Sequence, residues 1–265
     1  MQSALTQENI GALVNWCCSH QYRPDIAEDE MFVLPGAVLP ETLAWEGEAD
    51  IRVIFVLSTK KLLKNAVLQQ ESNMPTLSCS DATYNLLANK WPTLIMGTLD
   101  WQHKFRTVSV GCSSHQDERA FELLFLSTKE GIVVVHSVIY SPVYTLQDGA
   151  REIYNASKTV FTPKQILSCY YHCQAAIFKK KHEFLNKDSY QVFKKDTQIL
   201  HASQSPVEFH EGAKLLVEKW DQKEPVVMAW FDDEYFKFRQ THYASLTPPG
   251  KLFLLNVFLS LQSSL

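Results

Sequence analysis

The sequence lacks the short motifs that identify several common enzyme classes. It has no Gly-x-Ser-x-Gly turn, no Walker-type phosphate loop and no Gly-x-Gly-x-x-Gly turn, which argues against serine hydrolases, P-loop NTPases and dinucleotide-binding folds. No apolar stretch reaches the roughly 18 residues that a membrane span needs. The first residues do not form a charged segment followed by an apolar one, so we expect no signal peptide. These absences predict an intracellular protein, nuclear or cytoplasmic, with no membrane partner.

The chain also lacks a large excess of positive or negative residues. The formal net charge is −4, which is not the footprint of a chain that binds nucleic acid over its whole surface. The compact basic run is Lys179-Lys180-Lys181, and such runs are more often solvated helix faces than binding sites. Any contact with DNA is therefore expected to use local patches or a module that is missing here. The six cysteines are dispersed and four lie in apolar runs, which favours free thiols in a reducing compartment over a disulfide framework.

The composition that remains is that of a globular protein, with only 9 glycines and 11 prolines among 265 residues, 46% hydrophobic residues and 20% charged ones. Apolar periodicity predicts alternating strands and helices, with one long helical region rich in aromatic residues near the end. A capping box at Ser114 and Asp117 is expected to start one helix, and Gly131 to end it. The predicted elements are a helix at 7–22 capped by Thr6, an irregular segment at 23–47, a strand at 51–59, a helix at 60–70, three strands between 77 and 114, a helix at 149–160, a strand and helix from 166, and helices at about 175–245.

Two aspartates interrupt this pattern at positions where burial of a carboxylate costs free energy. Asp81 lies inside a β-rich apolar run, and Asp148 follows an extended run and precedes a helical one. A carboxylate at a half-buried strand position is costly unless it is paired or holds a cation. Two such carboxylates at neighbouring strand ends can hold divalent metal ions for phosphodiester chemistry. The alternative is that Asp81 is a turn or edge residue and Asp148 a helix N-cap, which spacing alone favours.

A second candidate is the pair Cys169 and His172, which has the spacing of half a zinc site. No second pair at a recognisable spacing accompanies it, although Cys17, Cys18 and His20 lie far upstream. A buried cysteine beside a hydrogen-bonded histidine is favoured over a structural zinc ion.

The stretch from Asp81 through Phe125 resembles the transposase domain of Mutator-like elements (MULE). It begins DATYNLL, continues through a strand ending in GTLD and adds a third strand, KFRTVSVGCSS. Four further segments are also similar to the family, in the same order: FVLSTKKLLKNA upstream, and LQDGAREIYNASKTVF, ILSCYYHCQAAIFKK and FDDEYFKFRQTHYASLTPPG downstream. The resemblance covers residues from about 50 to 250.

The resemblance implies an α+β, mixed-sheet, ribonuclease-H-like core with a C-terminal α-helical insertion at about 175–245. Asp81 and Asp148 match the family's first two catalytic aspartates, which would bind Mg²⁺ or Mn²⁺. Cys169 and His172 match its C-x2-H pair. The family's third acid follows a Pro-rich turn, here Thr247–Gly250, but this chain reads KLFLLNVFLSL after that turn and has no Glu beyond Glu234.

These observations predict residues 1–50 as a lead-in and 51–265 as the MULE-like domain, with its last element truncated or altered. The implied function is metal-dependent DNA cleavage and strand transfer at transposon ends, impaired or inactive in this chain, and the family resemblance allows a homo-oligomer. The alternative is a non-catalytic, domesticated fragment that binds DNA or protein. No DNA-binding zinc module is visible on either side of the domain.

Overall fold

The computed structural model describes residues 7–36, 41–45, 48–72, 75–84, 86–87, 90–100, 102, 104–148, 150–203 and 205–237. The chain is a mixed α+β protein, which confirms the predicted class. It divides into two compact units, Met1–Lys164 and Gln165–Leu265. The predicted cap Thr6, the Pro-rich turn at 247–250 and the tail after it lie outside the described residues.

The first unit contains most of the sheet and four helices. Its elements are α1 (Gln7–Ser19), β1 (Phe32–Val33), β2 (Glu41–Trp45), β3 (Glu48–Arg52), β4 (Ile54–Ser58), α2 (Lys60–Glu71), β5 (Leu77–Thr83), β6 (Thr93–Leu99), β7 (Phe105–Ser113), α3 (Glu118–His136), β8 (Tyr144–Gln147) and α4 (Arg151–Phe161). The β2 and β3 strands form a separate antiparallel hairpin.

In the first unit, the strands of a mixed sheet run in the order β1-β4-β7-β6-β5-β8. The second unit begins with β9 (Gln165–Ser168). The strands β5, β6 and β7 pair antiparallel, as their predicted order requires, and Asp100 helps to close the connection between the last two. Its Oδ1 atom accepts the N–H groups of Gln102 and Lys104, each at 2.9 Å. The β8 strand is parallel to β5, with α3 in the connection between β7 and β8.

The core of the first unit explains why these elements form. All seven residues of β6 are buried, as expected for a strand covered on both faces. Helix α3 buries an apolar face that includes Phe121, Leu124 and Phe125, and the ring centroids of Phe125 and Phe161 lie 4.9 Å apart. The N-terminal segment contributes Phe32, Val33 and Leu34 to the same core.

Two boundary predictions were wrong for α3. The helix begins after Asp117, which is the N-cap and accepts the Ala120 N–H at 2.9 Å, whereas Ser114 Oγ accepts the N–H of Val53 at 3.0 Å. Gly131 does not end the helix, which continues to His136. A Cβ at Gly131 would lie 2.6 Å from Leu34 Cδ2, so this glycine permits close packing on Leu34.

The strand predicted at 51–59 is interrupted at Val53. Residues up to Arg52 belong to the β2–β3 hairpin, and β4 starts at Ile54 in the main sheet. The interruption follows from the contacts of Val53, whose N–H donates to Ser114 Oγ and whose carbonyl accepts the Ser114 N–H at 2.9 Å.

The second unit is helical after its first strand, as the aromatic-rich pattern predicts. It contains α5 (Tyr170–Lys179), a 3-10 turn (Lys181–Glu183), α6 (Lys187–His201), α7 (Pro206–Trp220), α8 (Pro225–Phe231) and a π-helical segment (Asp232–Lys237). Phe193 lies at its centre, with ring centroids 5.3 Å from those of both Trp220 and Phe231. This unit therefore has a hydrophobic core of its own.

Candidate functional site

Asp81 lies in the interior of the sheet. It is the fifth of seven residues in β5, which is flanked by β6 on one side and by β8 on the other. Its pairing partner in β6 is Ile95, and its side chain is half-buried. The Oδ1 atom accepts the N–H of Ala82 at 2.8 Å, which fixes the orientation of the carboxylate. Asp81 is therefore neither a turn residue nor an edge-strand residue.

Asp148 is the first residue after β8 and is also half-buried. Its Oδ1 atom accepts the N–H of Ala150 at 2.8 Å. The N-cap of α4 is Ala150, which makes no side-chain capping bond, so Asp148 precedes the cap and organises the turn between β8 and α4. Asp148 is consequently at the carboxyl end of a strand and is not itself the helix cap.

The strand register places the two aspartates at the same end of the β5–β8 pair. Leu77 pairs with Tyr144, Ser78 with Thr145 and Cys79 with Leu146, a constant offset of 67 residues, and the same offset separates Asp81 from Asp148. Asp81 and Asp148 each lie two residues beyond the last paired residues, Cys79 and Leu146. Because β5 and β8 are parallel, both aspartates lie at the carboxyl end of this strand pair.

The strands beneath these carboxylates are held by buried polar contacts. Thr98 Oγ1, on β6, donates to the carbonyl of Leu77 at 2.7 Å. Gln147, directly before Asp148, is 1% exposed, and its Oε1 accepts the Ser157 hydroxyl of α4 at 3.0 Å. The Gln147–Ser157 contact is not evident from the sequence, in which its signal is a polar residue at the last position of β8. The contact joins β8 to α4 on either side of Asp148.

The second candidate pair lies in the second unit. Cys169 is 2% exposed and is the N-cap residue of α5, where its carbonyl accepts the Cys173 N–H at 3.2 Å. His172 is half-buried, and its ring is 5.5 Å from that of Tyr171 in an edge-on arrangement. All six cysteines of the chain are free thiols. Cys169 therefore has a structural place at the start of α5.

Within the described residues, no group of three or more His, Cys, Asp or Glu side chains is arranged to hold a metal ion. Glu234, the last glutamate of the chain, lies in the π-helical segment of the second unit. The neighbouring acids Asp232 and Asp233 form ion pairs with Lys237 at 2.9 and 2.7 Å. These pairs neutralise part of the acidic cluster around Glu234.

Comparison with known proteins adds no relative. No protein-family model matches this chain, and no curated protein matches its sequence. Among the described helices, none is both long and apolar enough to cross a membrane.

Proposed function

We propose that this chain is a transposase-derived, ribonuclease-H-like domain in which Asp81 and Asp148 bind a divalent metal ion, and that its DNA cleavage is impaired. One observation carries the proposal. Asp81, on β5, and Asp148, the first residue after the parallel strand β8, each lie two residues beyond the paired residues Cys79 and Leu146, although 67 residues separate them in the chain. Two acids that serve unrelated structural purposes have no reason to share a register.

The order of elements supports the ribonuclease-H-like assignment. Three antiparallel strands, β5 to β7, are followed by helix α3, the parallel strand β8 and helix α4. This is the order implied by the resemblance to Mutator-like transposases, with the first aspartate on the first strand and the second at the end of the parallel strand. In a sheet of this kind, ligand sites form at the carboxyl ends of strands.

The donor chemistry fits magnesium or manganese. Both side chains are carboxylates, which are the hard oxygen ligands that these ions prefer. The Ala82 and Ala150 N–H groups orient one oxygen of each carboxylate, so the pair is organised before an ion binds. A bound ion would stabilise the negative charge that develops during phosphodiester cleavage. The residues of this chain hold and orient the ion, and their rigid strands limit its movement.

The impaired DNA cleavage is inferred from the absence of the family's third acid. In the family pattern a glutamate follows the Pro-rich turn, but here residues 251–265 contain no Asp or Glu. Two carboxylates bind a divalent ion less firmly than three, and a loosely held ion contributes less to catalysis. We therefore expect weak metal binding and slow cleavage.

The test of the metal site is thermal unfolding with increasing MgCl₂ or MnCl₂. A ligand that binds only the folded state raises Tm. We expect Tm of the wild-type chain to rise with metal concentration and the rise to disappear in both Asp81→Asn and Asp148→Asn. The matched control is Asp29→Asn, an exposed aspartate that should keep the response. An unchanged metal response in Asp81→Asn would place the ion elsewhere.

The test of impairment is nicking of supercoiled plasmid with Mn²⁺. We expect the wild-type chain to nick no faster than Asp81→Asn and Asp148→Asn. Robust nicking that both substitutions abolish would overturn the impaired state and keep the metal site. Glu234→Gln would then be the first variant to test for a third ligand.

A non-catalytic role in DNA binding is the second candidate. It is favoured by the exposed lysines of the second unit between residues 179 and 195, whose contact with phosphate needs no metal. DNA binding in the presence of EDTA, together with no nicking in Mn²⁺, would support this role.

A further inference from the structure

The charges of the second unit are segregated along the chain. Residues 179–195 contain six lysines and two acids, whereas residues 196–237 contain four lysines and nine acids. The net charge of the protein hides this division, because the two parts nearly cancel. A local positive surface can attract a polyanion even when the whole molecule is acidic.

Among the described residues, one of the six lysines in the basic part forms an ion pair, whereas three of the four in the acidic part do. Lys214, Lys219 and Lys237 pair with acids at 2.7 to 2.9 Å. Of the six lysines in 179–195, Lys180 pairs with Glu183 at 2.7 Å. The other five are exposed, and within the described part of the chain none has an acid at ion-pair distance; they are Lys179, Lys181, Lys187, Lys194 and Lys195.

A contact between two aromatic rings connects Lys181 with a side of α6 that carries two more lysines. Lys181 Nζ lies 4.2 Å from the ring centroid of Phe178, and the Phe178 ring lies 6.4 Å from that of Tyr190. Tyr190 belongs to α6, where Lys187 is three residues before it and Lys194 four residues after it. Residues at these spacings are neighbours on one side of a helix. We call Phe178, Lys181, Lys187, Tyr190 and Lys194 the lysine–aromatic surface.

The aromatic residue at this surface is open to solvent. Phe178 is 53% exposed, while the apolar side of α6 is buried through Phe193, Thr197 and Leu200. Asp188 follows Lys187 directly and is therefore about 100° away around the helix, outside the basic stripe. An exposed phenylalanine that contacts Lys181, on a surface with further exposed lysines, combines a flat apolar face with positive charge.

We propose that the lysine–aromatic surface binds single-stranded nucleic acid, with the lysines on the phosphates and Phe178 against a base. Exposed base faces distinguish a single strand from a duplex, and base stacking on aromatic side chains combined with a basic surface is the common mode of single-strand binding. The choice of DNA over RNA rests on the proposed function. The surface itself uses neither Asp81 nor Asp148 and needs no metal.

The experiment is fluorescence anisotropy of the full chain with a labelled dT20 strand in EDTA, over a range of salt concentrations. The variant Lys181→Gln/Lys187→Gln/Lys194→Gln should bind more weakly, and the slope of log K against log salt should fall by about 0.7 for each lysine removed. The matched control is Lys214→Gln/Lys219→Gln/Lys237→Gln, which changes the net charge equally but removes lysines that are already paired. We expect the control to keep the wild-type salt slope, and Tm of both variants verifies folding.

Phe178→Ala separates stacking from charge. We expect about a tenfold loss of dT20 affinity, within the range that stacking contributes, and no change for a duplex of 20 base pairs. Equal losses in the two lysine variants would overturn the proposal, as would wild-type dT20 affinity in Phe178→Ala. Tighter binding of rU20 than of dT20 would overturn the choice of DNA, and equally tight binding of polyglutamate would mean that charge alone is recognised.

The outcome is independent of the metal site. Asp81→Asn should bind dT20 as the wild type does in EDTA. A lost metal response with intact dT20 binding, or the reverse, therefore shows which of the two proposals fails.

Discussion

Gly97 is a residue at which the sheet has no room for a side chain. It lies in β6 at an irregularity in the pairing with β7, between Met96 and Gly97. A Cβ at this position would lie 2.2 Å from Phe105 Cζ and 2.6 Å from the carbonyl oxygen of Arg106. The Arg106 carbonyl belongs to the neighbouring strand β7, so it cannot move away without disturbing the sheet.

We predict that Gly97→Ala lowers the free energy of unfolding by about 2 kcal/mol, in the range of overpacking substitutions. The control is Gly11→Ala in α1, where nothing lies within 4 Å of the added Cβ. Alanine favours a helix over glycine by up to about 1 kcal/mol, so this variant should be neutral or more stable. Urea unfolding monitored by circular dichroism measures both, and equal stabilities would contradict the steric argument.

His201 links the stability of the second unit to pH. Its ring stacks on that of Tyr170 with centroids 3.9 Å apart and planes 2° from parallel. Burial lowers the pKa of His201 from 6.5 to about 4, because the charged imidazolium loses its hydration there. The folded state therefore resists a proton that the unfolded state accepts.

Between pH 6.5 and 4 the unfolded chain binds more protons at this site, so His201 causes stability to fall as the solution is acidified. The full loss is about 3 kcal/mol, and no effect is expected above pH 7. We predict that His201→Gln flattens the pH dependence of the urea midpoint between pH 4 and 6.5. The exposed His210→Gln is the control, and the same slope in His201→Gln as in the wild type would show that other groups dominate.

At the scale of the elements, Glu224 connects the start of α8 with the start of α6 in the second unit. It is 1% exposed and is the N-cap residue of α8. Its Oε2 and Oε1 atoms accept the N–H groups of Leu185 and Asn186 at 2.7 and 3.2 Å, directly before α6. One buried carboxylate thus satisfies two backbone donors of the segment before α6.

We predict that Glu224→Gln lowers the free energy of unfolding by about 2 kcal/mol, because an amide has one acceptor oxygen and its NH₂ group faces a donor. Glu218→Gln makes the same change of charge at an exposed position of α7 and should have little effect. Urea unfolding followed by tryptophan fluorescence compares the two variants. If they are equally stable, Glu224 does not hold α6 and α8.

Elements whose pattern is local were predictable from the sequence. The strands β5, β6 and β7 are short runs separated by turn residues, and they lie where the pattern predicts. The extension of α3 past Gly131 was not predictable, because the role of this glycine depends on Leu34, almost a hundred residues earlier. Val53 interrupts a continuous apolar run for a similar reason, its two hydrogen bonds to Ser114.

The two candidate sites also differ in how far the sequence alone could predict them. Asp81 and Asp148 could be selected because an acid in or after an apolar strand is conspicuous, and the element order implied adjacent strands. The constant register that aligns them emerges only from the sheet. The lysine–aromatic surface depends on the contact between Phe178 of α5 and Tyr190 of α6, which no sequence spacing indicates.

At the scale of the whole molecule, the reactivity of the buried cysteines measures how often each of the two units opens. Cys17, Cys79 and Cys112 are buried in the first unit and Cys169 and Cys173 in the second, while Cys18 is exposed. Burial raises the pKa of the Cys17 and Cys112 thiols to about 11, which further reduces their reactive thiolate at neutral pH. Each of the five buried thiols is therefore expected to react only when its part of the structure opens.

We predict that a thiol reagent such as DTNB modifies one thiol of the native protein rapidly, that Cys18→Ser removes this fast phase, and that all six react in denaturant.

Cys79 connects this measurement to the candidate metal site, since it lies two residues before Asp81 on β5 and pairs with Leu146 of β8. An ion that joins β5 to β8 opposes their separation, so Mg²⁺ should slow the labelling of Cys79 under mildly destabilising urea. Mass spectrometry of the labelled peptides resolves Cys79 from Cys173, whose rate serves as the control in the other unit. A metal effect on Cys79 that persists in Asp81→Asn would contradict an ion bound between these two strands.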